Sequence, residues 1–261
     1  MKLHRIFGIL LRYLYLLKHS YDRLNDMFYW PLLDLILWGL TTTYFKLLNP
    51  KVSDVVFAII WGILFWLIVN RGQFEISIGL LEDLWNDNLI NLFVTPILFW
   101  EWLVSLVILG IIKATISFSF AALIAYAFYK IHIFQFGLTI IPFALLLLMS
   151  GWWIGFFMAG LILRFGTKIQ TFAWSIPAII GPFSAIYFPS SILPEWAQQV
   201  SRVLPTSYIF AAMKEMVLTN ILDWNKLYIA FVLNIVYLIF SLIFVRLSFK
   251  SVLKKGLVHL G

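Results

Sequence analysis

The ionisable residues of this chain are few, and they are not arranged for catalysis. His4, His19, His132 and His259 lie far apart, and none has a neighbour at metal-ligand spacing. There is no cysteine, which removes disulfides, thiolate metal sites and cysteine nucleophiles. No G-x-x-x-x-G-K-S/T phosphate loop, H-E-x-x-H helix or G-x-S-x-G elbow occurs. No catalytic residue and no metal site are therefore expected. Two charged features ask for a reason. Lys113 falls near the middle of a long apolar stretch, and Glu75, Glu82, Asp83 and Asp87 make one segment acidic. A lysine at the centre of a membrane helix costs about 2.5–3.5 kcal/mol on translocon scales, so it faces a cavity or a partner. Lys113 either meets an anionic group of a ligand or forms a structural pair, with Asp34 and Glu101 as candidates.

The elements that must carry these residues follow from composition. Hydrophobic residues make up 62% of 261 positions and charged residues 12%, too few to coat a soluble domain. Abundant Trp, Tyr and Phe suit interfacial aromatic belts. The net charge of +7 has no basic soluble domain to carry it, so it reads as span-flanking lysine and arginine and not as a nucleic-acid surface. The fold class expected is an all-α integral membrane protein with six transmembrane helices, in a single transmembrane domain over 1–261. Residues 1–24 form an amphipathic interfacial helix with Arg5, Arg12 and His19 near one face. The spans are expected at 28–48, 53–69, 97–129, 138–163, 171–187 and 227–249. Pro31 falls in the first turn of the first span, and Asn49-Pro50 marks a turn after it. The segment 72–95 is too polar to span and reads as a separate amphipathic helix at the membrane face. Residues 188–220 carry Pro189, Pro194 and Pro205 and read as two half-helices that dip into the outer side. Gly151, Gly155 and Ala159 repeat at four-residue spacing, a packing seam within one subunit or between two.

Basic residues on the side holding 1–24, Arg71, Arg164, Lys168 and the C-terminal tail outnumber those on the other side. That bias puts both termini in the cytoplasm of a multi-pass protein of the cell (inner or plasma) membrane. No short apolar core with a small-residue cleavage site begins the chain, so a cleaved signal peptide is not expected.

Two segments carry the most information. One is Leu80-Leu81-Glu82-Asp83-Leu84-Trp85-Asn86-Asp87-Asn88, which leads to Val94-Thr95-Pro96. The other runs from Arg164-Phe165-Gly166 through Trp174 and Pro182 to Tyr187-Phe188-Pro189, then Ile192-Leu193-Pro194-Glu195-Trp196, Leu204-Pro205-Thr206-Ser207-Tyr208 and Met213-Lys214. In this layout the chain resembles the type-2 ABC exporter permease family. The resemblance covers the whole chain, with most of its specificity in the C-terminal half.

The resemblance implies a division of labour. This chain would bind no cofactor, and ATP with Mg would sit on a partner. The partners implied are two copies of a cytoplasmic ABC ATPase subunit, a second permease subunit (a homodimer favoured), and membrane lipids. Leu81, Glu82, Asp83, Leu84, Trp85 and Asn86 would form the coupling helix that seats in the ATPase, with the two acids meeting basic groups there. Lys113, Tyr187, Pro189, Pro194, Glu195, Trp196 and Tyr208 would belong to the translocation pathway or its outer gate. The cargo would be a lipid-linked, glycan or drug-like molecule. Two other classes stand beside this one. An ion-coupled secondary transporter would show internal repeats and several intramembrane carboxylates. A membrane-embedded lipid-modifying enzyme would need clustered polar catalytic residues, for which the sequence offers no evident cluster.

Overall fold

The computed structural model describes residues 1–48, 53–86, 88–89 and 94–255, and among them there is no strand. Among the described residues nine α-helices carry the architecture: α1 (Leu3–Lys18), α2 (Tyr21–Leu48), α3 (Ser53–Trp85), α4 (Phe99–Tyr129), α5 (Ile140–Phe165), α6 (Gln170–Ile180), α7 (Glu195–Val203), α8 (Pro205–Thr219) and α9 (Trp224–Lys255). Four stretches among the described residues, Ala58–Trp85, Phe99–Tyr129, Phe136–Ser184 and Trp224–Lys254, are long and apolar enough to cross a membrane. The chain has the make-up of an all-α membrane protein. The turn expected at Asn49-Pro50, Asp87 of the acidic segment and the end of the basic tail (256–261) lie outside the described residues.

The third helix is the centre of the molecule. It packs against α5 and α4 on two sides, while α5 also carries α9. Its contact with α5 depends on small residues. A Cβ on Gly151 would come within 2.6 Å of the Val69 carbonyl and 3.0 Å of the Gly72 Cα. A Cβ on Gly155 would come within 2.9 Å of the Ile76 Cβ. The small-residue stripe of α5 is thus a seam inside the chain, where close backbone approach gains dispersion contacts that lipid cannot supply. Polar groups also lock helix to helix. Ser150 Oγ donates to Asn234 Oδ1 at 2.9 Å, and Asn234 Nδ2 donates to the Leu146 carbonyl at 3.1 Å, which ties α9 to α5.

Several boundaries differ from the sequence expectation. The second span and the acidic segment are one unbroken helix, α3, from Ser53 to Trp85. Gly72 does not interrupt it; it faces α5, where an added Cβ would meet the Gly151 Cα at 3.4 Å, an ordinary contact. At about 1.5 Å per residue α3 exceeds a hydrocarbon core of about 30 Å, so one end lies beyond it. The second helix begins at Tyr21, so Pro31 sits well inside it instead of in its first turn. After α5, Gly166 adopts φ +66° and turns the chain before α6. Pro177 stays within α6, and the helix ends at Gly181-Pro182. Beyond it Pro194 precedes α7 and Pro205 opens α8, so each proline stands where a helix starts and its missing N–H costs nothing.

Candidate functional site

Between α2 and α6, with α3 as its floor, lies a groove made of two adjoining cavities. One has a volume of about 460 Å³ and is lined by Trp30, Asp34, Trp66, Asn70, Arg71 and Gln73, and also by Tyr187 from the segment after α6. The other has a volume of about 210 Å³ and is lined by Asp22, Arg23, Glu75, Glu82, Trp85 and Lys113. Asp26, Phe74 and Trp174 line both. Phe74 meets the Trp174 ring edge-on at 4.8 Å and joins α3 to α6, while Trp38 stacks on Tyr187 at 4.7 Å and closes the far end against α2.

The sequence pattern places these groups. Arg71, Glu75 and Glu82 recur at spacings of four and seven along α3, one helical stripe. Asp22 and Asp26 are four apart on α2, with Asp34 two turns further on. The stripes face each other and pair. Arg71 Nη1 donates to Asp26 Oδ2 at 2.5 Å, and Arg23 Nη2 lies 2.8 Å from Glu82 Oε2. Lys113, 8% exposed, reaches across from α4 and donates to Glu75 Oε2 at 2.7 Å. Its partner is neither Asp34 nor Glu101. Two buried oxygens remain without a hydrogen bond among the described residues, Gln73 Oε1 and Glu75 Oε1. Asp34 sits in the middle of α2, exposed on the groove, and forms no ion pair among the described residues.

The acidic end of α3 is partly consumed within the chain. Asp83 accepts from Tyr13 Oη at 2.5 Å and from Arg12 Nη2 at 3.0 Å. Trp102 Nε1 donates to Tyr13 Oη at 3.0 Å and completes the cluster. Burial, with the Asp83 carboxylate beside it, pushes the Tyr13 phenol well above its ordinary value. Nearby, Glu101 accepts from the Lys2 backbone N–H at 2.7 Å and from the Leu98 N–H at 3.0 Å, which fastens the start of α1 to the start of α4. Of the six residues expected to couple, Leu81 and Asp83 are buried, Glu82 and Leu84 are half-buried, and Trp85 and Asn86 are exposed. Asp83 and Glu82 hold α1 and α2 rather than offering free charges, because arginines of the same chain stand within reach.

The expected gate residues divide. Tyr187 lines the larger cavity and Lys113 the smaller. Pro189, Pro194 and Glu195 are exposed beyond the groove, Trp196 meets Phe183 edge-on at 5.9 Å, and Tyr208 Oη donates to the Arg202 carbonyl at 2.9 Å. These five line neither cavity. The sequence expectation gave no site role to Asp26, Asp34, Arg71, Glu75 or Gln73, although Asp34 and Glu75 stood out in it as charges. The spacing of Arg71, Glu75 and Glu82 was a usable signal, hidden by ending the second span at Val69. No group of three or more metal-ligating side chains occurs among the described residues. No family model matches the sequence, and no curated protein matches it.

Proposed function

We propose that this chain is the permease subunit of an ATP-driven exporter of the type-2 ABC class, with the translocation path along the groove between α2 and α6. One observation supports this above the others. The groove runs from Glu82 and Trp85 at the polar end of α3 to Tyr187 beyond α6, and so joins the segment expected to receive the ATPase to the segment expected to form the outer gate. In this reading α2 and the α6 region act as spans beside the four apolar stretches, giving six, with both termini cytoplasmic. The chain pairs with a second permease subunit, and each permease engages one cytoplasmic ATPase that holds ATP and Mg.

Coupling falls to the exposed tip of α3. Trp85 and Asn86 form the docking knob, Leu84 supports it from the side, and the Asp83 cluster fixes the helix end so that a push on the knob reaches α1 and α4. Aromatic anchors of this kind dominate interface energies. Co-expression with an ABC ATPase encoded beside this chain tests the reading. Stable co-purification is expected, and Trp85→Ala should loosen it by about tenfold or more in affinity, in line with a loss of about 2 kcal/mol at an anchor. No association with the wild-type chain overturns the proposal.

A further inference from the structure

The groove has a charge sign. In the larger cavity the Asp26 carboxylate is neutralised by Arg71, which leaves Asp34 as the uncompensated charge there. In the smaller cavity Arg23 neutralises Glu82 and Lys113 neutralises Glu75, which leaves Asp22. Among the described residues both cavities thus end one unit negative. The cation expected from the sequence to meet an anionic ligand, Lys113, is already occupied by Glu75.

The walls have matching chemistry. Trp30, Trp66, Phe74, Trp174 and Tyr187 line the larger cavity. Aromatic faces carry negative quadrupole density and attract desolvated cations. Gln73, fully buried, adds an acceptor, Oε1, that no described residue uses. A volume of about 460 Å³ suits a drug-sized molecule with several rings and not an extended glycan.

We infer that the groove binds a bulky, apolar organic cation, held by its charge against Asp34 and by its rings against Trp30, Trp174 and Tyr187. Asp22 marks the end at which such a cation enters, on the side of Trp85. As a statement about cargo this rests on the exporter reading, but binding itself does not need the ATPase.

The test is equilibrium binding to the full chain in lipid nanodiscs without nucleotide or ATPase, with empty nanodiscs as the blank. The probes are tetraphenylphosphonium and tetraphenylborate, which share size and shape and differ in sign. The phosphonium is expected to bind at least about tenfold more tightly. Asp34→Asn should abolish that preference, and Asp34→Glu should retain it. Equal affinity, or a preference for the borate, overturns the inference on the wild-type chain alone, whatever the variants do. An unchanged preference in folded Asp34→Asn overturns the role of Asp34. Failure here with ATPase co-purification intact refutes the cargo class and leaves the exporter standing. Preferential phosphonium binding with no ATPase partner refutes the exporter and leaves the cation site.

Discussion

Ser117 Oγ, on α4, donates to the Met27 carbonyl on α2 at 3.1 Å. Met27 stands four residues before Pro31, so its carbonyl is the one that proline cannot serve. The neighbouring helix supplies the missing donor, and α2 continues to Leu48. Ser117→Ala should therefore cost about 1–2 kcal/mol, the penalty for a buried acceptor left unpaired. Pro31→Ala should make the serine nearly dispensable. A double-mutant cycle read by thermal unfolding in detergent checks this, and additive effects would show that the two residues do not interact.

The Lys113–Glu75 pair makes a different kind of prediction. Removing one charge strands the other in a buried site, so Lys113→Met alone should lose about 3–5 kcal/mol. The double variant Lys113→Met/Glu75→Gln should recover most of that loss. Chemical or thermal unfolding of the single and double variants gives the comparison. A double variant as unstable as the single one would mean that Lys113 has a role outside the pair.

The seam between α3 and α5 sets a steric limit. Gly151→Ala places a Cβ against the Val69 carbonyl and the Gly72 backbone, and neither can rotate away. An overpacking cost of about 1–3 kcal/mol is expected. Gly8→Ala, with nothing within 4 Å of the added Cβ, should be neutral or slightly stabilising. The contrast in unfolding temperature between the two variants isolates packing from helix propensity.

Lys214, on α8, supplies a pH dependence. Burial pushes its ammonium down to about 8 from an ordinary 10.5. The penalty for holding it charged is fully present below pH 8. It is relieved as pH rises from about 8 towards 10.5, because in that window the unfolded chain binds the extra proton. Stability should rise across that interval in the wild type and be flatter in Lys214→Met, which should also be the more stable of the two at pH 7. Unfolding profiles over that range decide it.

Much of the architecture was readable from apolar runs and punctuation. The long fourth helix, the turn at Gly166 and the paired short helices α7 and α8 all carry strong local signals: continuous apolarity, a glycine at positive φ, and prolines at helix starts. The continuity of α3 was not readable, because Arg71, Glu75 and Asp83 look like a surface when their partners are unknown. Those partners, Asp26, Lys113 and Arg12, are far away in sequence and neutralise the charges only after the helices meet. The same blindness hid the groove. Its charge sign is a difference between paired and unpaired residues, and pairing is a property of the fold. Of the expected coupling residues Trp85 and Asn86 are exposed, while Leu81 and Asp83 turn inwards.

The cluster that fastens α1 also orders events during synthesis. The anchors of α1 are Asp83, Glu101 and Trp102, which leave the ribosome long after Tyr13 and Lys2 do. Until then the basic first helix lacks those partners. Its docking therefore requires that the chain through Trp102 has been made. A chain stalled before residue 101 leaves α1 accessible to a protease or a cross-linker, and completion of α4 hides it.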